Sequence, residues 1–218
     1  MIISHRHRFI FFNNPLTGSD AIRRYLDAWS EEPVVDFSAR MPDQPFHHYM
    51  CPEEAEYTFN VHGWNFNNYA RITCVRNPYT RLPALYDRIK STDPIWRVRK
   101  TLKLSLPSFE TWFSSAFSEG KEKSKYPSQI WRQYGIWTAV EWCADRITHV
   151  VPIEQVDRLL PPILRELEIP RPEDPKELLA KQTLTQPLSK TAIKMIGSQY
   201  AMDISAFGYA PTQNQKAA

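Results

Sequence analysis

The chain has 218 residues, of which 42% are hydrophobic and 23% are charged, and its formal net charge at pH 7 is +3. This composition excludes a collagen-like repeat, a coiled coil and a disordered chain, and it is typical of one globular domain that needs neither disulfides nor a structural metal to fold. The charge is too small to indicate a nucleic-acid partner.

The chain alternates segments with strand-like and helix-like patterns. The predicted strands are rich in aromatic and β-branched residues, and they are Arg8 to Phe12, Tyr57 to Val61, Ala70 to Val75 and Ile147 to Val151. The predicted helices repeat apolar residues at helical spacing after capping residues or prolines, and they are Ala21 to Trp29, Tyr79 to Lys90, Ile130 to Ala144, Gln155 to Leu160, Pro162 to Leu167 and Ser189 to Tyr200. Pro83 is expected in the first turn of its helix.

Strands that alternate with helices predict an α/β fold of three layers around a mostly parallel sheet, with a P-loop-like strand-loop-helix start and a helical C-terminal third. We expect residues 1–211 to form a single domain, with a proline-rich connection over 31–56. Residues 94–128 are a possible insertion on the substrate side, and 212–218 are a flexible tail.

Cysteine number and hydropathy indicate the cellular setting. The three cysteines form no C-x-x-C pair, which argues against a disulfide scaffold and a cysteine zinc site and fits a reducing compartment. Neither H-E-x-x-H nor a cluster of histidines and carboxylates occurs, so we expect no metal. No apolar stretch approaches the roughly 20 residues of a membrane span, and the first residues lack the apolar core of a secretory signal. We therefore expect a cytoplasmic protein.

Basic residues are concentrated in one stretch, where only Asp93 is a neighbouring acid. They are Arg88, Lys90, Arg97, Arg99, Lys100 and Lys103. This pattern fits a solvated helix face or a site for an anionic ligand, and the sequence leaves both open. Trp96 and Trp112, flanked by basic residues, are candidates for stacking on sugar rings.

Two predicted strand-to-helix turns carry groups that bind anions. The segment Phe9 to Tyr25 has the strand, loop and helix layout in which backbone N–H groups and the helix dipole converge on a phosphate, although it also fits an ordinary capped turn. The Walker A pattern is absent, which argues against P-loop hydrolysis of ATP or GTP. A second such turn begins at Arg76, and two of them suit a ligand with phosphates at both ends.

Three segments together resemble the sulfotransferase family, most closely its carbohydrate-type branch. They are Pro15-Leu16-Thr17-Gly18-Ser19-Asp20-Ala21, Arg76-Asn77-Pro78-Tyr79-Thr80-Arg81-Leu82 and Tyr200 to Tyr209. The resemblance implies transfer of a sulfuryl group from 3′-phosphoadenosine 5′-phosphosulfate to a hydroxyl of a carbohydrate or another small acceptor. Positioning and charge neutralisation are what such a transfer requires of a protein.

The resemblance also implies which residues hold the donor. The first loop would wrap the 5′-phosphosulfate and the second turn would hold the 3′-phosphate, through Leu16, Thr17, Gly18, Ser19, Asp20, Ala21, Arg76 and Ala84. Three of these depart from the family pattern: Leu16 replaces a lysine that stabilises the leaving group, Asp20 replaces a hydroxyl residue, and Ala84 replaces a serine.

Two interpretations of these departures stay open. In one, another basic side chain replaces the lysine, such as Arg23, Lys181 or a residue of the 88–103 stretch. In the other, the fold serves as a non-catalytic nucleotide- or glycan-binding protein, or as a transferase for another activated anion.

A general base must take the acceptor's proton, and His62 is the predicted base. The resemblance to glycan 2-O-sulfotransferases places a base at this position, although Trp64 stands where their second histidine would be. A histidine that is hydrogen-bonded at a strand end is the structural alternative. His47, His48 and His149 are weaker candidates, and we expect Glu154 to be a packing carboxylate at a helix start.

Overall fold

The protein is described by a computed structural model that covers residues 1–118, 129–170 and 187–211. Within these ranges, four strands and ten α-helices follow one another along the chain. In chain order they are β1 (Ile2–Ser4), β2 (Phe9–Phe12), α1 (Asp20–Leu26), α2 (Pro52–Val61), β3 (Ala70–Val75), α3 (Pro78–Thr92), α4 (Pro94–Thr101), α5 (Phe109–Ser118), α6 (Trp131–Gly135), α7 (Ala139–Cys143), β4 (His149–Pro152), α8 (Val156–Glu166), α9 (Lys190–Gln199) and α10 (Ala201–Phe207). The predicted α/β class is confirmed.

The four strands form one mixed sheet in the order β1-β2-β3-β4. β2, β3 and β4 run parallel, with Phe11 opposite Ile72 and Thr73 opposite Val150, whereas β1 pairs antiparallel with β2. The prediction of a mostly parallel sheet is therefore confirmed. The three parallel strands all end at one side of the sheet, and we call this side the carboxyl edge. The opposite side, where β1 turns into β2, is the amino edge.

Helices cover both faces of the sheet. Successive side chains of a strand point to opposite faces, and the apolar side chains on each face are buried against helices. Phe9 and Phe11 of β2 pack with α1 and α8 on one face, while Ile10 and Phe12 pack with α2, α6 and α7 on the other. All four side chains are fully buried, as expected for a strand in the interior of a sheet. A third apolar cluster joins α3, α5 and α9.

Three of the predicted strands are present, and one additional strand is found. β2 and β3 match their predictions closely, and the strand predicted over 147–151 begins two residues later, at His149. β1 has no counterpart among the predicted strands, because a run of three residues is too short to show an alternating pattern.

The strand predicted over Tyr57 to Val61 is wrong, because these residues form the second half of α2. Pro52 occupies the first helical turn, and Glu53 and Glu54 place negative charge there. Ala55 and Phe59 are both fully buried at a spacing of four, which is the helical period. The β-branched and aromatic residues after Glu56 are also typical of a strand, but the helix is favoured because it buries the face that carries Ala55 and Phe59.

Two predicted helix boundaries are also wrong. The single helix predicted over 130–144 is two short helices, because Thr138 begins α7 with a capping box in which its hydroxyl and the Glu141 carboxylate each accept a backbone N–H. The two helices predicted on either side of Pro161 are one, α8, whose apolar face is buried through both prolines. Burial of that face outweighs the hydrogen bonds that the prolines remove.

Pro83 lies in the second turn of α3, because Pro78 takes the first helical position. The helix predicted over 189–200 is confirmed as α9, and α10 follows it. The predicted insertion over 94–128 contains α4 and α5 in its described part. Residues 119–128, Lys181 and the predicted tail over 212–218 lie outside the described residues.

Candidate functional site at the carboxyl edge of the sheet

The loop from β2 to α1, residues 13–19, turns sharply at the carboxyl edge. Gly18 has a φ of 87° and Leu16 has a φ of 62°, so both lie in the left-handed region that glycine adopts freely and leucine rarely adopts. The Leu16 side chain is half-buried and packs against the apolar cluster of α3, α5 and α9. The position that holds a lysine in the sulfotransferases that this segment resembles therefore contributes apolar packing here.

The hydroxyls of this loop are hydrogen-bonded inside it. The buried Ser19 hydroxyl donates to Asn13 Oδ1 at 2.6 Å, and Thr17 Oγ1 lies 2.8 Å from the carbonyl oxygen of Asn14. Thr17 Oγ1 also lies 3.0 Å from Ser19 Oγ. These bonds stabilise the loop, and they leave the two predicted phosphosulfate-binding hydroxyls turned inward.

Asp20 and Ala21 begin α1 just after the loop. Asp20 is exposed, and its Oδ1 accepts a hydrogen bond of 3.2 Å from Asn13 Nδ2. A carboxylate in the first turn of a helix interacts favourably with the helix dipole, but it repels an incoming anion. Ala21 is buried in the core and offers no polar side-chain group.

Arg76 joins the second strand-to-helix turn to this loop. Its Nε donates to Thr80 Oγ1 at 3.0 Å, and its Nη1 donates to the carbonyl oxygen of Leu16 at 3.3 Å. Burial lowers the pKa of Arg76, with a smaller opposing effect from Glu154. No carboxylate of the described residues lies within ion-pair distance of its guanidinium. The two anion-binding turns predicted from the sequence are therefore in contact, and a half-buried cation lies between them.

Arg81 is a second, fully buried arginine of the same motif, and it holds the loop from behind. Its guanidinium donates to the carbonyl oxygen of Pro15 at 3.2 Å and to Asn14 Oδ1 at 2.9 Å. The other two bonds reach the carbonyl oxygens of Trp137 at 2.8 Å and of Tyr134 at 3.1 Å. Arg81 therefore fixes the loop to the α6–α7 connection, a role that sequence reasoning missed.

Glu154 and the C-terminal segment complete the edge around Asn77. Asn77 N–H donates to Glu154 Oε1 at 2.8 Å, while its side chain caps α3 by accepting from Tyr79 N–H at 3.0 Å. The Asn77 amide also donates to the carbonyl oxygen of Ala210 at 2.8 Å. Glu154 thus contacts backbone at a helix start, and the residues after α10 lie against the Arg76 turn.

Tyr209 brings a hydroxyl to this edge. The hydroxyl is buried and has no hydrogen-bond partner within the described ranges. Burial raises the pKa of Tyr209, and the negative charge of Glu154 raises it further. An unsatisfied buried hydroxyl costs free energy in the ligand-free protein.

We expect Tyr209→Phe to raise the free energy of unfolding by about 1 kcal/mol, because the change removes a buried hydroxyl that lacks a partner. Urea denaturation measures the effect. The matched control is Tyr200→Phe, which removes a buried hydroxyl that donates to the carbonyl oxygen of Ile136 and should lower stability. Destabilisation by Tyr209→Phe would contradict this description.

His62, the predicted base, lies at the amino edge. It follows the last residue of α2, is exposed, and its Nδ1 lies 2.8 Å from the carbonyl oxygen of Thr58. Its ring lies 5.0 Å from that of Trp64, which in turn lies 4.5 Å from the ring of His5 in the β1–β2 turn. The structure therefore brings Arg76 and the first loop together, but it places His62 at the other end of the strands.

The remaining histidines differ in their distance from the carboxyl edge. His5 and His7 are half-buried in the β1–β2 turn at the amino edge, and His149 is the first residue of β4 at the same edge. His47 is fully buried, and its Nε2 lies 3.1 Å from Glu54 Oε2.

His48 is half-buried beside α1. Its carbonyl oxygen accepts a hydrogen bond of 2.9 Å from the amine of Met1, which directly precedes β1 at the carboxyl edge. Burial lowers the pKa of His48 from its ordinary value of 6.5, and the positive charges of the amino terminus and Arg23 lower it further. Its Nδ1 is buried without a partner among the described residues, while its Nε2 lies 3.9 Å from Asp36 Oδ1, whose negative charge opposes this shift. The sequence pattern alone does not distinguish this histidine, with its lowered pKa at the carboxyl edge, from the other histidines.

Ala84 and Arg23 are the other residues named from the sequence. Ala84 is half-buried in α3, and its methyl group offers no hydrogen bond to a phosphate. Arg23 lies on α1 with its Nη1 3.6 Å from Asp27 Oδ1. Among the candidate replacement cations within the described residues, Arg23 is the closest in sequence to the first loop.

The described residues contain no group of three or more metal-ligating side chains. No helix within them is long and apolar enough to cross a membrane. No protein-family model matches the sequence, and a comparison with curated proteins finds no match. The function is therefore argued from the geometry of the carboxyl edge.

Proposed function

We propose that the chain is a sulfotransferase that binds 3′-phosphoadenosine 5′-phosphosulfate at the carboxyl edge and transfers its sulfuryl group to a hydroxyl of a carbohydrate or another small acceptor. The observation that carries the proposal is Arg76. A half-buried guanidinium, without a carboxylate partner among the described residues, connects the two turns to which the resemblance assigns the donor.

The hydrogen-bonding capacity of Arg76 supports an anionic ligand. Of its five N–H groups, one donates to Thr80 and one to Leu16, which leaves three for a ligand. A guanidinium binds phosphate oxygens in pairs, and such charge-assisted bonds are about twice as strong as neutral ones. We therefore assign the 3′-phosphate to Arg76, and the 5′-phosphosulfate to the side of the first loop.

The transfer requires one S–O bond to form and another to break. The acceptor oxygen attacks sulfur, the bond from sulfur to the 5′-phosphate oxygen breaks, and the acceptor's proton passes to a base. Leu16 adds no charge to the leaving phosphate, so Arg23 on α1 is the described side chain that we propose for this role. An unneutralised leaving group would lower the rate strongly, since electrostatic stabilisation is usually the largest catalytic contribution.

We propose His48 as the base in place of His62. A base must be unprotonated at the working pH and on the same side of the sheet as the donor. His48 suits both conditions better than His62 does. Burial and neighbouring positive charge lower its pKa, and its backbone carbonyl contacts the amine of Met1 at the carboxyl edge.

A non-catalytic nucleotide-binding protein is the second candidate, and Leu16 and Asp20 favour it. Leu16 packs its side chain into an apolar cluster, and Asp20 places a carboxylate in the first turn of α1. Both features weaken the 5′ side of the site, whereas Arg76 on the 3′ side is intact.

Leu16→Lys should tighten binding of the donor by about tenfold and raise the rate of transfer, because a charged hydrogen bond is worth roughly 1.5 to 3 kcal/mol. Asp20→Thr in the same chain should add to the gain by removing repulsion. Calorimetry and a transfer assay measure the two effects. If a folded double variant gains neither affinity nor rate, the binding protein becomes the better candidate.

The experiment that tests the proposal is a donor-dependent transfer assay. The protein is incubated with the donor and a panel of glycans and small hydroxylated compounds, and mass spectrometry detects addition of a sulfuryl group. We expect a product that is lost with Arg76→Ala. Nucleotide binding without a product from any acceptor would favour the non-catalytic candidate. Absence of both nucleotide binding and product would refute both candidate functions.

A further inference from the structure

The helix α4 and the turn after it expose an apolar surface that the nucleotide site does not use. Ile95 and Val98 recur on α4 at a spacing of three, and Leu102 follows four residues later, so the three share one face. They are 54%, 57% and 63% exposed, and Leu104 beyond the turn is 53% exposed. We call these four residues the α4 surface. Large aliphatic side chains exposed together in this way indicate an interaction site.

The segment that carries the α4 surface is also positively charged. Residues 94–109 contain four basic side chains and no acidic one. Arg97, Lys100 and Lys103 are exposed, and none of them takes part in an ion pair within the described residues. The fourth, Arg99, donates to the carbonyl oxygen of Ser105 at 2.9 Å and so closes the turn after the helix.

The helix is fixed to the rest of the protein on its other side. Asp93 is buried, caps α4 by accepting from Trp96 N–H at 3.0 Å, and forms an ion pair with Arg132. The Trp96 ring packs edge-on against Tyr86 of α3, with 5.8 Å between ring centroids. The apolar stripe is therefore presented outward by an anchored helix.

We propose that the α4 surface binds the face of an anionic lipid bilayer. Exposed aliphatic side chains enter the boundary between headgroups and acyl chains, while long Lys and Arg side chains of the same segment reach anionic headgroups. A second copy of this chain would bring its own four cations against these four. An acidic peptide would pair with the cations but would leave the aliphatic stripe without an apolar partner. The combination of both features on one anchored helix therefore favours a lipid surface.

Vesicle co-sedimentation tests the proposal, with vesicles of phosphatidylglycerol and phosphatidylcholine in equal parts compared with phosphatidylcholine alone. We expect binding to the anionic vesicles that weakens as salt screens the charges. The double variant Lys100→Gln and Lys103→Gln should bind roughly 25-fold more weakly, because each basic residue near the surface contributes roughly fivefold. The variant Ile95→Ser with Leu102→Ser should also lose most of its binding, because aliphatic burial is removed.

The controls remove the same side-chain types elsewhere on the surface. Val61→Ser with Met202→Ser removes two residues that are 66% and 67% exposed, and Arg24→Gln with Lys194→Gln removes two exposed cations. Both controls should bind vesicles as the parent does. Arg76→Ala should also retain binding, so failure of this proposal is distinguishable from failure of the nucleotide site.

Three results would overturn the proposal. The first is absence of binding to anionic vesicles at low salt. The second is binding that the Ile95→Ser, Leu102→Ser variant retains in full, since attraction would then be electrostatic alone. The third is binding to a polyglutamate peptide, lost in the lysine variant, without binding to vesicles, since this result would assign the surface to an acidic protein.

Discussion

His48→Ala is expected to lower kcat for sulfuryl transfer by about 10²- to 10⁴-fold, the usual contribution of a general base. Donor affinity should stay near that of the parent, because a base acts on the acceptor's proton and contributes little to ground-state binding of the donor. The measurement is turnover of an acceptor found by the mass-spectrometric panel, with donor binding followed separately by calorimetry.

The pH profile gives a second measure of the same role. Burial and neighbouring positive charge lower the pKa of His48 below 6.5, so this proposed base should lose its proton at lower pH than an ordinary histidine does. The rate should therefore rise with pH, with its midpoint below pH 6.5, and be level in the neutral range.

His62→Ala is the matched control, because His62 is exposed at the amino edge. It should change neither kcat nor donor affinity. If His62→Ala abolishes turnover while His48→Ala retains it, His48 is not the base. His62, the residue that the family resemblance indicates, would then be the base.

Arg81→Ala is expected to lower the free energy of unfolding by about 3 to 5 kcal/mol, because several buried acceptors lose their donor and a large side chain is removed from the interior. The buried guanidinium satisfies four oxygen acceptors, belonging to Pro15, Asn14, Trp137 and Tyr134. Its removal leaves these acceptors without their donor and opens a cavity between the first loop and the α6–α7 connection. Urea denaturation followed by circular dichroism measures the loss.

Arg24→Ala is the control for this change, since Arg24 is an exposed arginine on α1. Surface substitutions of this kind usually change stability by less than about 0.5 kcal/mol. Arg81→Lys keeps the charge but not the planar fork, so it should fall between the parent and Arg81→Ala. A loss below about 1 kcal/mol for Arg81→Ala would show that the loop does not depend on this arginine.

Local patterns predict part of the fold because some segments carry consistent signals. β2 and β3 are dense in aromatic and β-branched residues, and Asn77-Pro78 after β3 fixes where α3 begins. The second half of α2 is mistaken for a strand because its β-branched and aromatic residues suit either structure, and only burial of Ala55 and Phe59 together decides between them.

The candidate site shows the same division between local and long-range information. Arg76 is predictable because it stands between a strand and a helix, next to residues that cap the helix. The role of Arg81 is not, because its partners lie 53 to 67 residues away in the chain. The placement of His62 and His48 depends on the direction in which neighbouring elements run along the sheet, and no short motif encodes that direction.

Titration calorimetry with adenosine 3′,5′-bisphosphate tests the central claim most directly, since this nucleotide carries both phosphates and requires no acceptor. We expect the parent to bind it and to bind adenosine 5′-monophosphate much more weakly. Arg76→Ala should weaken binding of the bisphosphate by about thirtyfold, or about 2 kcal/mol, and leave the fold intact. A parent that binds both nucleotides alike, or a folded Arg76→Ala variant with parental affinity, would contradict the account.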